Sequence, residues 1–421
     1  MSHNNRWVDI SGQAGYSNKV FGANSFYSPL YPEQFEKTKT LFSSVRLEKN
    51  IHQFKMVPSI YWRRHQDHFR LERNNPAFYT NNHLTNVFGA DFNLSYETKI
   101  GITAIGIEFR KEAIMSNSLG DPMNDAIAVP GEKGFYFTRE KSRNDISLFL
   151  QHHVDFHQFN FDIGLISYYK STYQWKTFPG INMSYKLNDK LRAFTGFNYS
   201  FRIPTFTELY YSSPTNHGNI NLNPETSATL DVGAKYFNNI YFSQFSLFYR
   251  TGKDLIDWAL DTSGIWISRN VNDINAYGLE YELKIYFHRT RQYIPFLQSL
   301  KANYTYLHLD KSSGSYTSFY ILDFLRHKFI LQSYFILSEK IGFSFVYNYQ
   351  NRAGTYTDFQ TGQETKYKPF KTVDVNIFWS NNRFKCYFFV NNLFDVEYAD
   401  LANIPMPGRW IKLGLKYNLP L

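Results

Sequence analysis

The chain has 421 residues, enough for two or three soluble domains or one large barrel. Forty Phe, 33 Tyr and seven Trp make 19% of it, equal to the charged share, at a mean hydropathy of −0.43. No stretch reaches the ~18 uncharged apolar residues of a membrane helix, and the single Cys386 excludes an internal disulfide framework or Cys-rich metal site.

Alternation runs along almost the whole chain. About nineteen segments alternate apolar and polar residues, as strands with one greasy face do. They cover 7–16, 18–27, 37–50, 53–66, 83–97, 99–111, 135–152, 157–171, 177–187 and 190–201. The rest are 224–237, 240–252, 266–288, 298–309, 325–338, 340–352, 369–380, 382–392 and 408–419. Tyr277, Leu279, Tyr281, Leu283 and Ile285 alternate with Gly278, Glu280, Glu282, Lys284 and Tyr286. Ile341, Phe343, Phe345, Tyr347 and Tyr349 alternate with Gly342, Ser344, Val346, Asn348 and Gln350. Helical periodicity is absent, and β-formers dominate.

Alternation also suits a soluble sandwich, but three features favour a transmembrane antiparallel up-and-down β-barrel. Tight turns (Ser17-Asn18, Lys49 to His52, Glu97 to Lys99, Asn188-Asp189, Asn238-Asn239, Ser338-Glu339, Asn381-Asn382) alternate with long polar loops near 67–82, 112–134, 202–223, 253–265, 310–324, 353–368 and 393–407. Glu280, Glu282 and Lys284 share one face; a dry core would charge several kcal/mol for each, whereas a wet lumen accepts them. Arg192 and Arg202 are expected on the same lumenal side. Finally, Lys412, Gly414, Tyr417 and Leu419 resemble the terminal assembly signal of bacterial outer-membrane barrels, without the usual last aromatic.

Four motifs, in order, carry a family resemblance. Phe201-Arg202-Ile203-Pro204 through Glu208-Leu209-Tyr210 resembles the "F-R-x-P…E-L-Y" segment of TonB-dependent outer-membrane receptors. Gly218-Asn219 through Leu222-Asn223-Pro224-Glu225 resembles their "G-N-x-x-L-x-P-E". Asn270 through Gly278 and Glu280, and Asn392-Leu393-Phe394-Asp395 through Pro407-Gly408-Arg409, are similar to two later motifs. Phe21 to Ser28 looks like the cobalamin- and siderophore-receptor subgroup.

The resemblance implies a 22-stranded barrel around a plug. Residues 1–421 are then expected to be the barrel domain, with the N-terminal plug and about three first strands absent. No charged-then-apolar leader follows Met1. An open seam is expected between 7–16 and 408–419. The implied function is TonB-dependent uptake of a bulky nutrient, a corrinoid or a ferric siderophore; a passive porin-like channel is the alternative. The implied partners are outer-membrane lipid and lipopolysaccharide, the TonB complex through the plug, and a bulky small-molecule ligand, with the barrel a monomer. The net charge of +9 suits anionic lipid as well as nucleic acid, but scattered basic residues argue against nucleic acid.

Ligand contacts are expected from loop residues with large stacking surfaces: Tyr79, Tyr210, Tyr211, His217, Trp258, Trp266, Tyr320, Tyr356 and Phe359. Each stands beside the plain alternative of girdle or loop packing. Asp121, Asn124 and Asp125 offer oxygen ligands for Ca²⁺, against the alternative of a solvated turn. His152, His153 and His157, and His65 with His68, lack the spacing of a zinc hydrolase. No nucleophile elbow, P-loop or dinucleotide fingerprint occurs, so no enzymatic activity and no cofactor are expected.

Overall fold

The computed structural model describes all residues except 1, 5–7, 24–30, 171, 214–215, 271–272, 288–293, 295, 312–323, 359–360 and 419–421. Among the described residues, eighteen strands form the wall. The first nine are β1 (Asp9–Gly22), β2 (Phe35–Ile51), β3 (Phe54–Arg70), β4 (Thr80–Thr98), β5 (Gly101–Ser116), β6 (Tyr136–Phe156), β7 (Phe159–Lys170), β8 (Gln174–Lys186) and β9 (Leu191–Arg202). The second nine are β10 (Glu225–Phe237), β11 (Tyr241–Lys253), β12 (Ile274–Tyr286), β13 (Leu297–Lys311), β14 (Leu325–Ile336), β15 (Ile341–Arg352), β16 (Phe370–Ser380), β17 (Phe384–Asn391) and β18 (Trp410–Tyr417). Each pairs antiparallel with the next. The expected segments 7–16 and 18–27 are one strand, β1, and the short Ser2–Asn4, which lies in none of the expected segments, adds to its free side as a nineteenth; Asp121–Ala128 is an extra strand on β6.

Two expected boundaries are corrected. Ser17 and Asn18 form no turn: they pair with Thr40 and Lys39 inside one continuous β1. Residues 266–288 do not form one strand. Trp266–Asn270 joins a small loop sheet with Ile256–Leu260 and Asn216–His217, and β12 starts at Ile274.

Short connections gather at one end of the wall and longer ones at the other. The exceptions are the brief β7–β8 link at the loop end and the ten residues, 287–296, between β12 and β13 at the turn end. The turns are made by a repeated device. Asn188 Oδ1 accepts from the N–H of Lys190 and Leu191 at 2.9 and 3.0 Å. Asn238 Oδ1 does the same for Ile240 and Tyr241, and Asn381 Oδ1 for Arg383 and Phe384. Such a side chain mimics a backbone turn, which is why Asn marks these corners.

Register puts one apolar face outward across neighbouring strands. Leu230, Val232, Phe245, Leu247, Tyr277 and Tyr281 are all exposed there. The opposite face is polar, with, among the described residues, seven places where a ring lies over a glycine directly opposite it: Phe42 on Gly15, Tyr61 on Gly89, Phe149 on Gly106, Phe194 on Gly233, Phe248 on Gly278, Phe378 on Gly342 and Tyr387 on Gly414. The ring covers backbone that a glycine leaves bare, and the missing Cβ makes room for it.

Among the described residues no ladder joins β18 to β1 or to Ser2–Asn4, in line with the expected seam. The free edge of β18 leaves Leu413 82% exposed.

Candidate functional site

The loop end is where distant segments meet. The chain leaves β9 at Arg202, passes Pro204 and enters helix α1 (Phe206–Tyr210). Five residues are too few for a self-supporting helix. Thr205 and Glu208 form a capping box: Glu208 N–H donates to Thr205 Oγ1 at 3.1 Å, and Thr205 N–H donates to Glu208 Oε2 at 2.7 Å. Phe206 and Leu209 are buried, Phe206 against Ile114 and Leu119. Arg143 stacks over the Phe206 ring at 4.5 Å and donates from Nη1 to Pro204 O at 2.8 Å. Its Nε donates to Glu112 at 2.5 Å.

Arg202 clips this segment shut. Its guanidinium donates to both oxygens of Glu225 (2.7 and 2.6 Å) and to both of Glu208 (2.9 Å each). Burial pushes the Glu208 carboxyl up, but Arg202 and the Thr205 N–H outweigh it, and the net effect holds it below its ordinary value. Glu225 Oε1 also accepts from Ile256 N–H at 2.7 Å, which ties in the next loop. Asn270 fastens that loop twice more, donating to Asn223 O at 3.0 Å and Asp254 O at 2.6 Å. A Cβ on Gly218 would lie 2.8 Å from the backbone of Leu209, Tyr210 and Tyr211, so only glycine fits this return. The motif residues Arg202, Glu208, Gly218 and Glu225 thus build one closure. Arg202 stands opposite Glu225 in register, and its charge is spent on two carboxylates.

Above this closure sits an aromatic cluster from three loops. The Tyr79 and Tyr211 hydroxyls are hydrogen-bonded, and Asn81 Nδ2 donates to Tyr211 Oη at 3.4 Å. Burial, then the neighbouring Tyr211, push the Tyr79 hydroxyl well above the usual tyrosine range. The Tyr211 ring meets Trp258 edge-on at 6.3 Å. Tyr210 packs beside Phe206 and under Lys141, whose Nζ is 5.1 Å from the ring centre. His217 and Trp266 belong to the small sheet that also carries Trp258.

Six of the nine expected aromatic and histidine contacts are therefore joined by a common set of packed loops. Tyr356 lies elsewhere, its ring tilted against Tyr367 at 4.9 Å between centroids, in a hairpin held to 392–409 by Asn403 Nδ2 donating to Thr357 O at 2.9 Å. Tyr320, Phe359 and Leu419 fall outside the described residues. Sequence reasoning missed Phe206, Arg143 and Asn81. The only available signal was Glu112 and Arg143 falling opposite each other in register, which needs the β5–β6 pairing to see.

Asp121, Asn124 and Asp125 lie in the extended strand on β6, and the Asp121 carboxylate takes Lys141 Nζ at 2.7 Å. Among the described residues no group of three acidic, His or Cys side chains is arranged to hold a metal. His152 bonds Thr103, and His153 bonds Asp162 and Asp155. His157 is a turn residue with φ of 55°, His65 bonds Thr40 and buried His68 bonds Asn82. Glu280, Glu282 and Lys284 lie on the face opposite exposed Tyr277 and Tyr281; Glu282 pairs with Lys284 (3.0 Å) and Lys301 (3.2 Å). Arg192 lies on the same face, opposite Lys235. Gly414 receives Tyr387, Lys412 sits 5.2 Å from the Trp410 ring and Tyr417 packs on Phe384 at 4.8 Å.

Comparison with known proteins agrees with this architecture. The siderophore receptor PirA of Pseudomonas aeruginosa superposes over 98% of this chain and 68% of its own, at 14% identity and a TM-score of 0.71. A ferric enterobactin receptor (PfeA) mutant from the same organism gives 98%, 67%, 15% and 0.74, and the FrpB iron transporter of Neisseria meningitidis gives 97%, 68%, 12% and 0.72. A curated relative, the vitamin B12 transporter BtuB of Vibrio vulnificus, is 31% identical over 96 residues, which are 23% of this chain and 15% of that protein. The family described as TonB dependent receptor-like, beta-barrel, matches residues 2–393. By that match, over a wall of eighteen successive antiparallel strands, the chain belongs to the TonB-dependent receptor β-barrel family.

Proposed function

We propose that this chain forms the barrel wall of an outer-membrane receptor that takes up a bulky nutrient, a ferric siderophore or a corrinoid, with energy supplied through TonB. The observation that carries the reading is the loop-end cluster. Tyr79, Tyr211 and Trp258 come from three different loops, are fixed by the closure beneath them and present ring surface together. Rigid aromatic surface binds large, flat or chelated ligands at low entropic cost. In this reading the loop end faces outside the cell, the apolar outer face meets lipid and lipopolysaccharide, and TonB acts through a plug in the lumen.

The free edges fit the same reading. Ser2–Asn4 and β18 both run towards the turn end. An odd number of antiparallel strands must therefore stand between them to close the wall, and the three implied by a 22-stranded barrel is odd.

Uptake of radioiron-loaded siderophores and of radiolabelled cyanocobalamin, by cells producing this protein, tests the proposal. We expect one of the two classes to enter, and entry to stop when the proton gradient is collapsed. Uptake that is indifferent to the gradient, or large ligand-independent conductance in planar bilayers, would instead establish a passive channel.

A further inference from the structure

We propose that a break in the wall between β8 and β9 seats one alkyl chain of a lipid from the surrounding leaflet. β8 pairs with β7 from Gln174 to Tyr185, but with β9 only from Gly180 to Lys186. β9 in turn pairs with β10 as far as Arg202. The ladder between β8 and β9 therefore stops at Gly180 and Asn198, and 175–179 and 199–202 run on without it. Pro179 stands at the stop. It has no N–H to give a ladder, which is why proline is rare in a strand flanked on both sides.

Rings bridge the break where the ladder is missing. Buried Phe178 of β8 stacks on Phe201 of β9 at 4.2 Å and on Tyr199 at 5.7 Å. Parting rings in lipid leaves no polar group bare, whereas parting a ladder does. On the lipid-facing side an apolar groove of about 550 Å³ ends at this stop, within the usual size of small-ligand sites. Ile163, Ile181 and Phe197 lie directly across from one another on three strands, Leu165 lies across from Pro179, and all four large side chains are exposed outward. Among the described residues the only polar side chains lining the groove are Thr103 and His152, bonded to each other at 2.8 Å.

The surroundings select the occupant. Trp175 and Tyr169, 5.2 Å apart at the tip of the β7–β8 hairpin, mark the level of the lipid head groups. From Trp175 down to Ile181 is about 20 Å of tilted strand, comparable with one leaflet of a ~30 Å hydrocarbon core. A chain hanging from the head-group level thus passes along the break and ends in the groove. On the lumenal side the same Pro179 and Gly180 border a cavity that holds Asp91, Asn182 and Asn198, so a methylene chain gains nothing by going further. The proposal rests on the outer face being the lipid face. It makes no use of the loop-end aromatics, so its failure leaves the uptake reading standing.

The test uses the full chain folded into dioleoylphosphatidylcholine vesicles that hold a trace of palmitic acid with a diazirine at its methyl end. Irradiation should join the probe to 175–181 and 197–202. Labelling there should fall about ten-fold in L165W and in I181W, because filling the groove removes the burial of about two methylenes. L247W makes the same change on the outer face of β11 and should leave labelling unchanged. Heat-modifiable gel mobility confirms that each variant folds. The proposal is overturned if the label spreads evenly around the wall, which would mark ordinary lipid contact. It is equally overturned if L165W and I181W label as the parent does, or if L247W lowers labelling as much. A ferric octanoyl-hydroxamate carrying the same diazirine, added in water, should leave these residues unlabelled. Labelling by it and not by the palmitate would place the source of the chain in the lumen and also overturn the proposal.

Discussion

Arg202 and Glu225 face each other across β9 and β10, and the guanidinium donates to both carboxylate oxygens, at 2.7 and 2.6 Å. The same guanidinium reaches Glu208 on α1, so one side chain joins two strands to the loop between them. Replacing it should free the loop before it affects the wall. Arg202 is 42% exposed, which screens the pairs, so Arg202→Ala should cost only about 1–2 kcal/mol. Limited proteolysis should cut 203–224 in this variant while the strands survive. Arg202→Lys keeps the charge but not the fork, and should cut at an intermediate rate. Equal resistance of all three proteins would show that the clip does not hold the loop.

Acid should open the same loop. The Glu208 carboxyl titrates below its ordinary value in the folded protein. Its contribution is therefore full above the ordinary carboxylate value and is lost as pH falls through the lowered one. Protease sensitivity of 203–224 should rise in that window, measured by quenching brief digests at stepped pH. Glu208→Gln should be sensitive already at neutral pH, with no such rise. A parent loop equally resistant across the window would contradict the assignment.

The ring-over-glycine pairs predict a double-mutant cycle. A Cβ on Gly89 would strike the Tyr61 ring, whose atoms are its three nearest neighbours. Gly89→Ala should therefore destabilise by about 1–3 kcal/mol through overpacking. Tyr61→Ala should cost about as much by removing buried contacts. The double variant should cost clearly less than the sum, because the added methyl enters the space the ring has left. Gly164→Ala is the control, since its Cβ would meet only Leu150 O at 3.9 Å. Urea refolding read by heat-modifiable gel mobility gives each value, and strict additivity would deny the contact.

The Tyr79–Tyr211 pair separates support from capture. Tyr79→Phe leaves one hydroxyl without this partner and should cost about 1 kcal/mol, with ligand retention nearly unchanged. Trp258→Ala removes ring surface at the rim of the cluster and should lower ligand affinity about ten-fold, with the melting curve unmoved. Equilibrium binding of the ligand class that passes the uptake assay checks both. Loss of binding in Tyr79→Phe alone would reverse the two roles.

The sequence alone determined most of the strands and which face of each is apolar. That information is local: alternation at period two assigns every side chain to a face, as in Tyr277, Gly278, Leu279 and Glu280, and Asn at 188, 238 and 381 marks corners by bonding its own neighbours. Where local cues conflicted with pairing, pairing won. Ser17-Asn18 reads as a turn, yet Thr40 and Lys39 on β2 take its backbone into the ladder. Only the tertiary structure decided what the recurring motifs do. Arg202 lies far along the chain from Glu225, as Tyr79 does from Tyr211 and Trp258, and no periodicity measures the distance between such residues. Their meeting depends on the register of whole strands and the path of the loops between them, which is set by the summed pairing of the wall and by no single segment of it.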